Sequence, residues 1–238
     1  MTVDKPPGTI PAMTRRPPPS RSGQSADGRP KGGRRAGGRR GAGRRDAGRR
    51  DAGRLRIIGG DYRRRLLPVL DSPGLRPTPD RVRETLFNWL TADLPGARVL
   101  DLFAGTGALG LEALSRGARQ ASFVERDPRV ALQLEENLAT LDATQRGRVI
   151  VGDALAFLAG PPTPCSLVFL DPPFRQGLAE PCCEALEAGW LTDEAFIYLE
   201  CEAEREPAVP ATWRLHREVR AGDSHGRLYR RATTPQPN

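Results

Sequence analysis

The feature that most constrains the fold is a series of apolar segments that each end in an acidic residue. Four segments follow one another along the chain, and their terminal acids are Asp101, Glu125, Asp153 and Asp171. Helical segments beginning near residues 107, 128, 153 and 178 alternate with them, and a fifth strand is predicted at about 195–201. This alternation predicts a parallel sheet. Ligands of open α/β sheets bind outside the carboxyl ends of the strands, so the sequence predicts four acids at a ligand-binding edge.

A glycine-rich turn follows the first of these acids. Gly105, Gly107 and Gly110 fit the pattern G-x-G-x-x-G, in which glycines let the backbone turn tightly and approach a nucleotide. Glu125 is placed to accept hydrogen bonds from ribose hydroxyls, as the corresponding acid does in nucleotide-binding folds. At this point a nicotinamide dehydrogenase and a methyltransferase fit equally well.

Two of the acids separate these classes. Asp101 precedes the glycines, where its charge would repel a pyrophosphate and attract a cationic sulfonium or an amino-acid ammonium. Asp153 ends the third apolar segment and suits the amino edge of an adenine. Both features favour a methyltransferase over a dehydrogenase.

The fourth apolar segment ends in Asp171-Pro172-Pro173-Phe174. The prolines stiffen the turn and remove two backbone donors, while their carbonyls stay free as acceptors. The carboxylate is a second acceptor and Phe174 offers a flat apolar face, so the turn could hold a planar amine that acts as a nucleophile. Taken alone, the same four residues also fit an ordinary proline turn after a strand.

Together these motifs resemble those of the S-adenosylmethionine-dependent class I methyltransferases that methylate exocyclic amines. Two further segments, GLRPTPDRVRETLFNWL at 74–90 and LGLEALSRGA at 109–118, are similar to those of the bacterial 16S rRNA guanine-N2 methyltransferase family, RsmD. The resemblance runs from about Arg56 to Tyr229 and does not cover the preceding segment.

The resemblance implies a Rossmann-like α/β fold with a seven-stranded, mostly parallel sheet, closed by an antiparallel hairpin near 213–220 and 226–232. It implies transfer of a methyl group from S-adenosylmethionine to N2 of a guanine in 16S rRNA or the small ribosomal subunit. The implied cofactor-binding residues are Asp101, Phe103, Gly105, Gly107, Glu125, Asp153 and Ala154, and the implied catalytic residues are Asp171, Pro172, Pro173 and Phe174.

Basic residues before the sheet favour contact with RNA, because the resemblance is strongest there. The implied nucleic-acid-binding residues are Arg76, Thr78, Arg81 and Arg83. Thr78 is expected to cap a helix with Pro79 in its first turn, and residues 55–69 are expected to form a hairpin with Arg63–Arg65 on its second arm. Alternatively, Arg81 or Arg83 pairs with a neighbouring acid, Asp80 or Glu84.

Charge divides the chain into two parts. Residues 1–56 contain 16 Lys+Arg and only 4 Asp+Glu, although the whole chain has a net charge of +8, so the remainder is net acidic. We expect residues 1–54 to be a disordered basic tail rich in Arg, Gly and Pro. It could tether RNA through phosphate contacts or be an extension without consequence, and a transit peptide is a third option that its glycine and proline content disfavours. Residues 55–238 suffice for one methyltransferase domain, with 55–92 as its RNA-contacting hairpin and helix.

Composition also limits the partners. The four cysteines form no C-x-x-C pair and the chain has two histidines, so we expect no metal site. The absence of a long apolar segment argues against membrane insertion, and we expect a cytoplasmic monomer. Two alternatives stay open: an adenine-N6 methyltransferase of DNA or RNA, and an RNA-binding ribosome assembly factor whose methyltransferase core is idle.

Overall fold

The computed structural model describes residues 53–70 and 78–232. Nearly all of the predicted basic tail lies outside the described residues, and so does Arg76. None of the helices in the described ranges is long and apolar enough to cross a membrane.

The described chain forms nine strands and five helices. The strands are β1 (Arg54–Arg56), β2 (Leu66–Pro68), β3 (Arg98–Asp101), β4 (Gln120–Glu125), β5 (Gly147–Val151), β6 (Cys165–Leu170), β7 (Leu191–Glu202), β8 (Trp213–Ala221) and β9 (Ser224–Arg231). The helices are α1 (Asp80–Trp89), α2 (Ala108–Ser115), α3 (Pro128–Thr140), α4 (Ala154–Leu158) and α5 (Ala179–Leu186).

Seven of these strands form one sheet in the order β5-β4-β3-β6-β7-β9-β8. The strands from β3 to β7 pair in parallel, whereas β9 is antiparallel to both β7 and β8. The predicted α/β fold, with its mostly parallel seven-stranded sheet and C-terminal antiparallel hairpin, is therefore confirmed. Strand order reverses between β3 and β6, and that reversal opens a crevice for ligands at their carboxyl ends.

Alternating side chains divide the core between the two faces of the sheet. Phe169 and Tyr198 pack on one face with α1, and the rings of Phe87 and Phe169 meet edge to face with centroids 5.8 Å apart. Val168 and Ile197 pack on the other face, which α5 covers. The apolar segments are buried on both sides, and this explains why they form central strands.

The N-terminal hairpin, β1 and β2, is fastened to α2 by the buried carboxylate of Glu112 and by Ser115, which accepts hydrogen bonds from the backbone N–H groups of Asp61 and Tyr62. Glu112 is fully buried and accepts hydrogen bonds from the backbone N–H groups of Ile58 at 2.8 Å and Gly59 at 2.7 Å. Arg116 donates to the same carboxylate at 2.8 Å, and the buried Arg83 lies 3.6 Å from it. The hairpin and α1 are thereby held against the sheet domain.

Two details of this region differ from the sequence predictions. Arg63–Arg65 lie in the connection before β2 and not on its arm, because the backbone turns there and Arg64 has a φ of 68°. Thr78 does not cap α1. Pro79 takes the N-cap position with ψ of 142°, so the helix begins one residue later and no side chain caps it.

We predict that Glu112→Ala lowers the free energy of unfolding by about 3–5 kcal/mol, because it leaves buried Arg83 with less compensation and two backbone donors unpaired. Urea denaturation measures this change, and hydrogen exchange at the amides of Ile58 and Gly59 should accelerate. Glu135→Ala, on the exposed side of α3, is the control and should change stability by less than about 0.5 kcal/mol. Equal stability of the two variants would contradict the fastening role.

Candidate active site

Asp101 ends β3 inside the crevice and is almost fully buried, with 3% of its surface exposed. Its Oδ2 accepts a hydrogen bond of 2.9 Å from the backbone N–H of Gly110, in the first turn of α2. The pKa of Asp101 is raised to about 7: burial raises it most, the Gly110 hydrogen bond lowers it in part, and the nearby charge of Glu125 adds a smaller increase. The carboxyl is therefore poised to ionise when a cation approaches.

The turn between β3 and α2 requires its glycines. Gly107 has a φ of 75°, and a Cβ there would lie 2.4 Å from Leu134 Cδ1. Gly110 has no room either, because its Cβ would lie 2.2 Å from the ring of Phe123. The turn at Gly107 thus has a conformation that larger residues rarely adopt, and the first turn of α2 at Gly110 packs too closely on β4 for a larger side chain.

Glu125 ends β4, and its carboxylate is hydrogen-bonded to the same turn. Its Oε2 accepts from the Gly105 N–H at 2.9 Å and its Oε1 accepts from the Asp127 N–H at 2.7 Å. The residue is half-buried, and each carboxylate oxygen, which accepts one of these hydrogen bonds, has capacity for another. Phe103 is half-buried in the same turn, two residues before Gly105.

Asp153 follows β5 and has a structural role that the sequence analysis missed. Its Oδ1 accepts from the N–H groups of Leu155 and Ala156, both at 3.0 Å, so it is the N-cap of α4. An aspartate immediately before a helix is the usual signal for this role. Asp153 is exposed and Ala154 is buried at the start of the helix, so Oδ2 is still open to a ligand.

The Asp-Pro-Pro-Phe turn follows β6, next to β3. Asp171 is half-buried, Pro172 is buried, and the ring of Phe174 is 40% exposed. Burial raises the pKa of Asp171 well above its usual range, and the charges of Glu200 and Asp101 raise it further. A half-buried carboxyl and a partly exposed ring thus follow β6 at the carboxyl edge of the sheet.

Glu200, two residues before the end of β7, is a further acid at this edge that was not among the residues predicted from the sequence. Its side chain is 6% exposed and accepts a hydrogen bond of 3.0 Å from the hydroxyl of the buried Tyr198. The signal was present, because Glu200 directly follows the apolar run 195–199 within β7. With Glu200, the adjacent strands β3, β6 and β7 each bring a carboxyl to one edge.

No arginine, lysine or histidine within residues 53–70 and 78–232 forms an ion pair with Asp101, Asp171 or Glu200. Buried carboxyls without a positive partner are costly, and they suit a ligand that brings a cation or several N–H donors. The described part of the chain contains no cluster of three or more His, Cys, Asp or Glu that could hold a metal ion.

Of the residues predicted to bind RNA, the three that the structure describes are not all accessible to a ligand. Arg81 is exposed on α1, but Arg83 is 1% exposed and pairs with Asp80 at 2.6 Å. A guanidinium so enclosed cannot reach a phosphate, so the prediction for Arg83 is corrected in favour of the pairing alternative. Thr78 is 8% exposed and offers little surface to RNA.

The strand order, the glycine-rich turn after β3 and the Asp-Pro-Pro-Phe turn after β6 define the class I methyltransferase fold. The sequence profile of a family described as conserved hypothetical protein 95 matches residues 55–230. Ribosomal RNA small subunit methyltransferase D of Escherichia coli is 58% identical over 180 residues, which cover 75% of this chain and 90% of that protein.

Two further comparisons agree. The protein of the same name from Haemophilus influenzae is 47% identical over 179 residues, which cover 74% of this chain and 93% of that protein. The solved structure of yhhF from Escherichia coli, described as a candidate methyltransferase, is 56% identical with a TM-score of 0.71, covering 76% of this chain and 100% of its own. The chain belongs to the conserved hypothetical protein 95 family, and the resemblance to RsmD is confirmed.

The raised pKa of Asp101 predicts how stability depends on pH. The folded protein holds this proton up to about pH 7, whereas the unfolded chain releases it near the ordinary value of 3.8, so stability is lost as pH rises through this window. The free energy of unfolding of the wild-type protein should therefore fall by about 2–3 kcal/mol between pH 5 and pH 8 because of this group. We predict that Asp101→Asn abolishes this part of the pH dependence. Denaturation at both pH values measures this, with exposed Asp142→Asn as control. A wild-type pH dependence retained in Asp101→Asn would contradict the assignment.

Proposed function

We propose that this methyltransferase transfers a methyl group from S-adenosylmethionine to the exocyclic N2 of a guanine in 16S rRNA. The observation that carries the proposal is the Asp-Pro-Pro-Phe turn, which lies beside buried carboxyls that have no positive partner in the described chain. The names of the curated relatives, ribosomal RNA small subunit methyltransferase D, support ribosomal RNA of the small subunit as the substrate.

The residues at the crevice fit S-adenosylmethionine. Asp101 would take the ammonium of the methionine part, beside the turn at Gly105 and Gly107, where only glycine fits at 107. Glu125 would accept from the ribose hydroxyls and Asp153 from the adenine amino group. The proposed cofactor-binding residues are thus Asp101, Phe103, Gly105, Gly107, Glu125, Asp153 and Ala154.

S-adenosylmethionine, when bound, supplies a methyl group activated by a sulfonium, so the reaction requires no metal. The guanine N2 lone pair is delocalised into the ring and is a poor nucleophile. Asp171 and the Pro172 carbonyl would accept the two N2 hydrogens and draw the nitrogen toward tetrahedral geometry, while Pro173 keeps the turn rigid. Phe174, 40% exposed, would stack on the base. Positioning and electrostatics then supply most of the rate.

Contact with rRNA would involve the region before the sheet. We assign this role to exposed Arg81 and, outside the described residues, to Arg76, within a methyltransferase domain of residues 55–238. The basic segment 1–54 would add sequence-independent attraction to phosphates. The protein would act as a monomer in the cytoplasm, where the small subunit is assembled.

The test is transfer of labelled methyl from S-adenosylmethionine to unmodified 16S rRNA and to small subunits assembled from it, with the nucleosides resolved afterwards. We expect label in N2-methylguanosine. Label in N6-methyladenosine would keep the site and overturn the substrate, since an Asp-Pro-Pro-Phe turn also suits that amine. Cofactor binding without label on either substrate would favour the assembly-factor alternative.

We predict that Asp171→Ala lowers kcat for methyl transfer by at least about 100-fold, because the N2 hydrogens lose their acceptor, while the affinity for S-adenosylmethionine stays within about threefold. Single-turnover kinetics and calorimetry measure the two quantities. Asp193→Ala is the control, since that side chain on β7 is 84% exposed. Undiminished transfer by Asp171→Ala would refute the proposed role.

We predict that deletion of residues 1–52 raises KM for rRNA and flattens its dependence on salt, because fewer phosphates are neutralised, with kcat unchanged. The measurement is the initial rate at several salt concentrations. A full-length variant in which the tail arginines are lysines is the matched control, and it should retain most of the salt dependence. Loss of kcat on deletion would assign the tail a catalytic or folding role instead.

A further inference from the structure

Glu200 lies beside Asp171 on the same face of the sheet. The parallel register of β6 and β7 pairs Phe169 with Tyr198, so Asp171 and Glu200 occupy the positions two residues further along their strands. Side chains two residues apart share a face. The two carboxyls therefore belong to one edge and one face, on which α1 also packs.

Glu200 is fixed in place by a buried hydrogen bond. The hydroxyl of Tyr198, which is itself fully buried, donates to Glu200 Oε2 at 3.0 Å. Space for that hydroxyl exists because β9 has Gly226 opposite Glu200, where a Cβ would lie 2.1 Å from the Tyr198 oxygen. Tyr198 and Gly226 together thus fix the position of the Glu200 carboxylate.

Two further acids lie at the same edge as this carboxylate, whereas the buried Arg227 of the neighbouring strand β9 donates to Cys201 Sγ at 3.1 Å. Asp171 of β6 and Asp101 of β3 lie at the same edge, and burial together with the charge of Glu200 raises the pKa of Tyr198 well above its usual value. The buried arginine of α1, Arg83, faces Asp80 and Glu112 instead. A carboxyl group beside an anion holds its proton more tightly. The charge of Glu200 therefore makes the Asp171 carboxylate a stronger base.

Methylation of an amino group produces a proton that needs an acceptor. The bond between N2 and the methyl carbon forms while the C–S bond breaks and its electron pair stays on sulfur, which leaves a positive charge on N2. Resting on the proposed function, we propose that Glu200, held by Tyr198, is a positioning residue that enables the Asp171 carboxylate to accept the N2 proton. Asp171 then releases this proton to water when the product leaves.

The test measures the titration of Asp171 directly. Carbon-13 NMR of the cofactor-free full chain follows the Asp171 carboxyl, which Asp171→Asn identifies. With Glu200→Gln we expect the titration midpoint of Asp171 to fall by at least about one pH unit. The acidic limb of kcat should move down equally, and the plateau kcat should fall about 3- to 10-fold, because a weaker base accepts the proton more slowly. KM for both substrates should stay within about threefold.

Two further variants make the outcome decisive. Tyr198→Phe should lower the Asp171 midpoint in the same direction, and it decides the matter if Glu200→Gln does not fold. Glu194→Gln, on β7 with a 76% exposed side chain, should change neither the midpoint nor kcat. An unmoved midpoint in folded Glu200→Gln overturns the inference. Absence of N2-methylguanosine from the wild-type reaction would instead refute the proposed function, because the NMR titration does not depend on it.

Discussion

The burial of carboxyl groups without a positive partner is the constraint on which the site depends. Asp101 and Glu200 are buried and Asp171 is half-buried at the carboxyl edge of the adjacent strands β3, β7 and β6, and the described chain supplies none of them with an ion pair. The unfavourable free energy of this arrangement is tolerated because the parallel sheet fixes where strands end. The same arrangement attracts a cationic methyl donor and accepts the hydrogens of a base amino group, so fold and proposed chemistry share one cause.

The rest of the structure keeps this edge rigid. Glu125 fastens the glycine-rich turn through the N–H of Gly105, and Glu112 fastens the N-terminal hairpin to α2 through the N–H groups of Ile58 and Gly59. Each contact satisfies backbone donors that would otherwise be unpaired, the first at the crevice and the second toward the C-terminal end of α2. Acids in this protein therefore serve two purposes: some hold backbone in place, and others are left open to ligands.

Much of the fold followed from the sequence, because apolar segments ending in acids set both strand positions and the functional edge. Details that depend on tertiary contacts did not follow. The sequence predicts Arg83 as a candidate phosphate ligand. In the structure, however, α1 packs so that Arg83 is enclosed beside Glu112. The cap of α1 shifted because Pro79 adopts an extended ψ. Glu200 was overlooked although it obeys the same pattern, since its importance depends on the Tyr198 hydroxyl, which only the three-dimensional register reveals.

The most direct test of the account is the number of protons released when S-adenosylmethionine binds. Calorimetry near pH 6 in two buffers of different ionisation enthalpy gives this number. A cation placed beside Asp101, whose pKa is about 7, should displace up to about one proton, and Asp101→Asn should displace fewer. Binding without proton release, or equal release by the wild-type protein and Asp101→Asn, would contradict the claim that the buried carboxyl of Asp101 binds the positive charge of S-adenosylmethionine.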